Sequence, residues 1–259
     1  MNASNPKKTL VALATYNEIE NLPRLVDSIL STTPDVDVLI VDDNSPDGTG
    51  RWAVEASEKD PRIHCVVRVD ERGLGSAVVV ALRYAIEKNY RYVVNMDADF
   101  SHPVEKAPEL VARVENSERE GKRVDVAIGS RYVKGGATVD WPLARRLASR
   151  CVNLFARLTL GLKVRDASGA FRCYRVDALR KVDFSQFLSS GYSFFEETLF
   201  RLQQSGATFD EIPITFTERR FGASKINRKE AIRAIRVMTR LGLTRCFGRF
   251  RRNKKTLDA

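Results

Sequence analysis

The segment "VVNMDADFSHP" (93–103) closes an apolar run with two aspartates one residue apart, Asp97 and Asp99, followed by the hydroxyl of Ser101. Such hard oxygen donors suit Mg2+ or Mn2+, ions that often bind through one or two carboxylates while bridging substrate phosphates. The pattern alone carries little weight: among 17 aspartates about one Asp-x-Asp pair arises by chance, and "DVD" at 35–37 is such an accident. Position at the end of an apolar strand singles out "DAD"; a simple polar strand end is the competing reading.

Three other clusters bear on chemistry. "IVDDNSPDGTG" supplies Asp42, Asp43 and Asp47 before a glycine turn. That composition is what a turn and a helix N-cap require, and it also offers a carboxylate to a nucleobase or ribose. "VRVDERGLGSAVVVAL" imitates a dinucleotide-binding fingerprint with Gly73 and Gly75, but Val78 stands where the third small residue belongs and the strand is third in order. Arginines form the last group: Arg131 in "GSRY", Arg145 and Arg146 in "WPLARRLASR", and Arg219 and Arg220 in "TERRFGASK" with Lys225. Any one of them serves a solvated surface; together they offer the planar fork that grips phosphate at two points.

The elements that must position these residues follow from periodicity. Over the first 130 residues β-rich runs alternate with helical patterns: strands at 9–15, 36–43, 63–69 and 90–97, and helices at about 20–32, 48–59 and 75–88. This alternation predicts α/β layers on a mostly parallel, Rossmann-like sheet, whose ligands bind beyond the carboxyl ends of the strands. All four polar clusters, from "TYNEIEN" to "DADFSHP", fall at such ends. Further on come a strand at 124–132, a basic helix at 142–161 and an α+β stretch through 209–220. Ile226, Ala231, Ile232, Ile235, Met238, Leu241 and Leu243 then recur at roughly helical spacing with arginines between them, a basic amphipathic helix.

Composition bounds the possibilities. A chain of 259 residues carries one large core, and no stretch reaches the roughly 18 apolar residues that would span a bilayer. The first apolar run reads as a buried strand in place of a signal-peptide core, so the fold is expected to begin there. Cys65, Cys151, Cys173 and Cys246 are scattered and form no zinc pattern, which points to reduced thiols in the cytoplasm. The net charge of +10 calls for an anionic partner, and from Arg228 to Lys255 eleven Lys or Arg face one acid, Glu230. A nucleic-acid-binding module would interleave aromatics with these charges, and the tail offers only Phe247 and Phe250.

In order along the chain, "TYNE", "VDDNSPDGTG", "GLGSA", "MDADFSHP", "GSRYVKGG", "WPLARRLASR", "DASGAFRCYR", "GYSFFEE" and "RRFGASK" resemble the family 2 inverting glycosyltransferases, most closely the dolichol-phosphate (polyprenyl-phosphate) mannose synthases. The resemblance runs from about Leu10 to Lys225. It implies a GT-A domain at 1–225 followed by the basic amphipathic helix and tail at 226–259. It makes Tyr16, Glu18, Asp43 and Asp97 contacts of a nucleotide sugar, with Asp43 near the base. Asp99, supported by Asp97 and Ser101, becomes the site of Mg2+ or Mn2+; many relatives have Gln where Ser101 stands. Arg131, Arg145, Ser149 and Arg219 match positions that hold the acceptor phosphate, with Lys225 in the same "GxSK" element. Asp97, Asp99, Arg131 and Arg219 form the implied catalytic set, while Asp166 and Glu197 shape the site. "ASGAF" departs from the family's usual "DLTGSF".

The implied reaction moves mannose from GDP-mannose to dolichyl or polyprenyl phosphate with inversion to a β-linked product. Transfer of glucose or another hexose from a UDP-sugar, or a soluble acceptor, is the alternative. The transmembrane helices that many relatives append are missing from this sequence. The expectation is therefore a peripheral protein on the cytoplasmic face of a membrane, docked by the basic helix after Lys225.

Overall fold

The computed structural model describes residues 9–33, 35–189, 191, 193–218 and 232–245. Strands β1 (Thr9–Thr15), β2 (Val36–Asp42), β3 (Ile63–Val67) and β4 (Tyr92–Asp97) alternate with helices α1 (Leu22–Thr32), α2 (Thr49–Lys59) and α3 (Leu74–Glu87). β1 is an apolar run because both its faces are covered, as parallel strands require. Leu10 and Ala12 enter one core, and Val11 and Leu13 enter the other. In α1, Leu22, Leu25, Val26 and Ile29 are buried at the i, i+3, i+4, i+7 spacing of a single apolar stripe. Pro23 sits in its first turn, where a missing N–H costs nothing.

The parallel register decides where the polar strand ends meet. Thr15 of β1 lies opposite Asp42 of β2, Ala14 lies opposite Asp97 of β4, and Asp42 lies opposite Val67 of β3. The turns after these strands therefore share one rim, as the sequence pattern predicts.

Beyond α4 (Ala107–Asn116) the chain adds β5 (Val126–Ser130), β6 (Ala137–Val139), α5 (Leu143–Leu160), β7 (Arg172–Arg175), the single turn α6 (Val176–Leu179), α7 (Phe194–Gln204), β8 (Phe209–Pro213) and β9 (Thr215–Thr217). The main sheet has the order β3-β2-β1-β4-β7-β5-β8, and β6 pairs with β9 in a small second sheet. β7 runs antiparallel to both β4 and β5. The stretch 209–220, continuous in its sequence pattern, divides between the two sheets after Pro213. Residues 232–245 are helical and bury Met238 and Leu241 in the core, while Ile226 and Ala231 lie outside the described residues.

A charged pair on β7 and α7 enters the interior incompletely paired. Arg172 on β7 is fully buried and donates from Nη1 to the Phe195 carbonyl (2.8 Å) and from Nη2 to the Ala167 carbonyl (2.6 Å). Beside it, Glu196 in the first turn of α7 is buried, and among the described residues its Oε2 has no hydrogen-bond partner. Burial pushes its carboxyl up to about 7 from an ordinary 4.5, the backbone and Arg172 opposing and Asp166 reinforcing the shift.

The folded chain thus holds a proton that the unfolded chain releases, so stability falls as pH rises from 4.5 to about 7, and the deficit is complete above that. We expect Glu196→Gln to raise the melting temperature at pH 8, by on the order of 3 kcal/mol of stability. The gap to the parent protein should close below pH 4.5. A melting-temperature series across pH checks this; a constant offset would show that the carboxyl does not titrate in that range.

Candidate active site

Three of the four rim turns, those after β1, β2 and β4, contain a non-glycine residue in the left-handed region: Asn17 (φ 60°), Asn44 (φ 55°) and Phe100 (φ 59°). Asparagine tolerates this conformation; a phenylalanine held there stores strain. That strained residue lies between Asp99 and Ser101.

The turns after β1 and β2 are tied to each other by side chains. Asp42 accepts from the Thr15 hydroxyl (2.9 Å) and from the backbone N–H (2.9 Å) and hydroxyl (2.6 Å) of Ser45. A Cβ at Gly50 would lie 2.6 Å from Asp42 Oδ1, so only glycine lets α2 approach this carboxylate. Asp47 caps Thr49 through its N–H (2.9 Å) and hydroxyl (2.6 Å) and also receives the Ile19 N–H at 3.2 Å. Partial burial raises its pKa, but these donors outweigh burial and hold its carboxyl below the ordinary value. Glu18 donates its backbone N–H to the Thr49 hydroxyl (2.9 Å) and accepts from the Asn21 side chain (3.0 Å) at the start of α1.

Asp43 is buried and bound by Arg68, whose Nε donates to Oδ1 at 2.7 Å and whose Nη2 donates to the same atom. Its other oxygen receives the Gly73 N–H (2.8 Å). This pairing explains "GLGSA" without a dinucleotide: Gly73, at φ 144°, aims its N–H at Asp43 as α3 begins. Tyr16 lies under Arg72, whose guanidinium carbon is 5.0 Å from the ring centre and whose Nη1 donates to the phenol at 3.2 Å.

At the end of β4, Asp99 is buried and its Oδ1 accepts from the Ser101 N–H (3.1 Å), closing a tight turn. The Ser101 carbonyl accepts from Thr217 on β9 (3.2 Å). His102 lies beneath, stacked on Phe171 at 5.1 Å and meeting Phe216 edge-on at 5.3 Å. Its Nδ1 accepts the Asp97 N–H (3.1 Å), which puts the proton of the neutral ring on Nε2, 3.8 Å from Asp97 Oδ2. Burial pushes the imidazole down to about 4, Asp99 opposing and Arg131 assisting, so the ring is neutral at physiological pH. The Asp97 carboxylate is about one-third exposed and faces the rim.

The cationic side of the site is built around Arg131, just past β5. Its Nε and Nη2 bind Asp166 at 2.8 and 2.6 Å, its backbone N–H binds the same carboxylate at 2.9 Å, and Nη2 also reaches the Ser168 hydroxyl at 2.9 Å. Burial disfavours both charges, but their mutual attraction wins, raising the pKa of Arg131 and lowering that of Asp166. The guanidinium lies among Tyr132, Trp141 and Phe216, at 5.2, 5.4 and 5.6 Å. Phe216 thus stands between Arg131 and His102, joining the arginine side to the Asp97–Asp99 turn. Arg145 stacks over Trp141 at 4.2 Å and pairs with Glu218. Ser149, one turn along α5, accepts from the Tyr132 hydroxyl at 2.6 Å. Arg219 and Lys225 lie outside the described residues. Glu197 sits apart, holding the Leu188 and Ser189 N–H groups and Arg201.

Among the described residues no group of three or more His, Cys, Asp or Glu is arranged to hold a metal by itself. Two rim carboxylates beside a hydroxyl fit an ion that completes its shell with water and substrate phosphate, as Mg2+ and Mn2+ do. Arg68, Trp141 and Glu218 are absent from the sequence-level site. Their signals, an arginine ending a strand and a Trp-Pro before a basic helix, identify no partner until the fold supplies one.

The family model described as glycosyl transferase family 2 matches residues 10–183. An undecaprenyl-phosphate mannosyltransferase of Micrococcus luteus is 40% identical over 91% of this chain and 94% of its own length. A polyprenol monophosphomannose synthase of Mycolicibacterium smegmatis is 41% identical over 85% of this chain and 82% of its own. Among solved structures, glucosyl-3-phosphoglycerate synthase of Mycobacterium tuberculosis, in complex with Mn2+, UDP and phosphoglyceric acid, superposes with a TM-score of 0.64 at 16% identity over 93% of this chain and 78% of that one. That likeness gives the GT-A fold. The carboxylate turn, the arginine side and the matched span together identify the chain as a glycosyltransferase belonging to glycosyl transferase family 2.

Proposed function

We propose that the chain transfers mannose from GDP-mannose to a polyprenyl phosphate at a membrane surface, inverting an α-linked donor into a β-linked product. The observation that carries this is the shared rim: carboxylates Asp97 and Asp99 on one side, and Arg131 and Arg145 on the other, bridged by Phe216 and Trp141. The two relatives named for mannosyl transfer to polyprenyl phosphate support the choice of sugar and acceptor.

In this reading, Asp97 and Asp99 with Ser101 hold Mg2+ or Mn2+. The bound ion supplies Lewis-acid stabilisation of the leaving diphosphate. The Mn2+ in the solved relative supports a divalent metal. Tyr16, Glu18 and the Asp43–Arg68 pair line the nucleotide end. The acceptor is a phosphate monoester with a second pKa of about 6, so it is largely dianionic at neutral pH and attacks without a general base. Its oxygen forms the bond to the anomeric carbon as the bond to the nucleoside diphosphate breaks, and GDP leaves with the electron pair. Bringing one anion to another is the main electrostatic obstacle. Arg131, Arg145 and Arg219, with Ser149 and Lys225, offset it. Asp166 fixes the guanidinium plane of Arg131.

In the same reading, the basic sequence after Lys225, helical over residues 232–245, would hold the enzyme peripherally on the cytoplasmic face of a membrane. Among the described residues no helix is long and apolar enough to cross it.

A transfer assay tests the reading: purified protein, a short polyprenyl phosphate, Mg2+ or Mn2+, and labelled GDP-mannose beside UDP-glucose. Lipid-linked β-mannose is expected, abolished by EDTA and reduced roughly a hundredfold or more in Asp99→Asn. An α-linked product would refute direct inversion, and glucose transfer would reassign the donor.

A second pair of variants separates charge from geometry. Asp166→Ala should destabilise the fold by about 3–5 kcal/mol, because it leaves Arg131 buried without its counter-ion. Arg131→Lys keeps the charge but loses the two-point fork, so kcat/KM for the lipid phosphate should fall while the protein stays folded. Thermal melts beside acceptor titrations distinguish the two.

A further inference from the structure

The buried pair of Arg172 and Glu196 has no part in the transfer step, yet it adjoins the group that meets the acceptor. The Arg172 guanidinium carbon lies 5.2 Å from the ring centre of Phe195, in the first turn of α7. Its two terminal nitrogens hold carbonyls from different parts of the fold. Nη1 binds Phe195, the residue before Glu196, and Nη2 binds Ala167, the residue between Asp166 and Ser168. Asp166 and Ser168 are the side chains that bind the Arg131 guanidinium. Arg172 is therefore a brace between the start of α7 and the loop that orients Arg131.

The brace has one unused donor, and Glu196 has one unused acceptor. Among the described residues, Arg172 Nε and Glu196 Oε2 are both buried without a hydrogen-bond partner. A neutral carboxyl tolerates that arrangement far better than a buried anion does. Beyond burial and its own backbone, the groups acting on Glu196 are Arg172 on β7, Asp166 in the loop before β7 and Arg131 just past β5. Tyr174, on the strand of Arg172, keeps its proton because burial pushes its phenol up. Glu197, next in sequence, is engaged by the Leu188 and Ser189 N–H groups and by Arg201. Arg172 is thus the cation available to an ionised Glu196.

We propose that Glu196 is a proton-linked positioning group for the acceptor phosphate. Protonated, it leaves Arg172 on the Ala167 carbonyl and Arg131 in place. Ionised, it draws Arg172 away from that carbonyl, loosens the Asp166–Ser168 loop and adds negative charge behind the arginine that meets the phosphate. The proposal rests on the reading in which Arg131 holds the acceptor. Its sign follows from linkage. A phosphate dianion at Arg131 disfavours a second negative charge nearby, so Glu196 holds its proton more tightly when acceptor is bound, and the protonated enzyme binds acceptor more tightly in return. Acceptor affinity therefore falls as pH rises through about 7. The phosphate's own second ionisation, near pH 6, acts in the opposite direction and is common to every variant.

The test compares the parent with Glu196→Gln and Glu196→Leu, both without the charge and differing in hydrogen bonding. Transfer to a short, water-soluble polyprenyl phosphate is followed from about pH 6 to 8.5. Calorimetric titration of the same lipid phosphate near pH 7, in two buffers of different ionisation enthalpy, counts the protons taken up on binding. Relative to both variants, the parent's acceptor KM should rise about tenfold across the range, the equivalent of one pKa unit of coupling. The kcat and the donor KM should run parallel in all three, and the parent should take up a larger fraction of a proton on binding lipid phosphate. A parent and Glu196→Gln with the same KM profile and the same proton uptake overturn the proposal, as does a parent that binds no lipid phosphate. A parent that binds it with the extra proton uptake but transfers no sugar refutes the proposed function and leaves the linkage standing.

Discussion

The buried ion pair between Arg131 and Asp166 is the constraint on which the cationic side of the site depends. Removing two charges from water costs several kcal/mol per ion, and only near-complete hydrogen bonding repays it. The chain meets that demand from four directions. Asp166 takes the side chain and backbone of Arg131, and its own N–H is held by Glu211 on β8 at 2.9 Å. Ser168 donates its N–H to Asn153 of α5 at 3.1 Å, and the Asn153 amide returns to the Ser168 hydroxyl at 2.9 Å. Sheet, loop and helix are thereby locked to a single guanidinium. The same network fixes the inner face of α5 to the site.

The carboxylate side is held differently. Its order comes from parallel register, which places Thr15, Asp42 and Asp97 at one edge, and from turns that accept left-handed residues. Two of those residues are asparagines, for which the conformation is inexpensive. The third, Phe100, pays about 1–3 kcal/mol of strain. Its ring packs against the core and the Asp99–Ser101 turn closes around it, so the surrounding structure over-determines the bend. Neutral His102 completes the arrangement by taking the Asp97 N–H without adding a positive charge beside the carboxylates.

How much of this was legible in the sequence depended on whether the signal was local. Strand–helix alternation through Asp97 is a periodic signal, and the elements fall where it places them to within a few residues. The polar turns were legible for the same reason, since each directly follows its strand. Pairing across the fold was not legible. Asp43 reads as a ligand contact or a turn residue until Arg68, 25 positions away, is seen to bind it. Arg145 reads as a free cation until Glu218 is found beside it, 73 positions on. β7 is only four residues long and its antiparallel insertion between β4 and β5 depends on non-local pairing, so "FRCYR" shows no period of its own.

The leucines of α5 show the same limit in its sharpest form. A leucine every three or four residues is the standard mark of a core-facing stripe, and sequence cannot say which of two apolar faces a helix buries. In α5 the buried side is the less obvious one, made of Asn153, Ala156 and Leu160, because the site demands Arg145 and Ser149 on that side. Once the ion-pair network fixes the helix's rotation, the leucines have nowhere to go but outward.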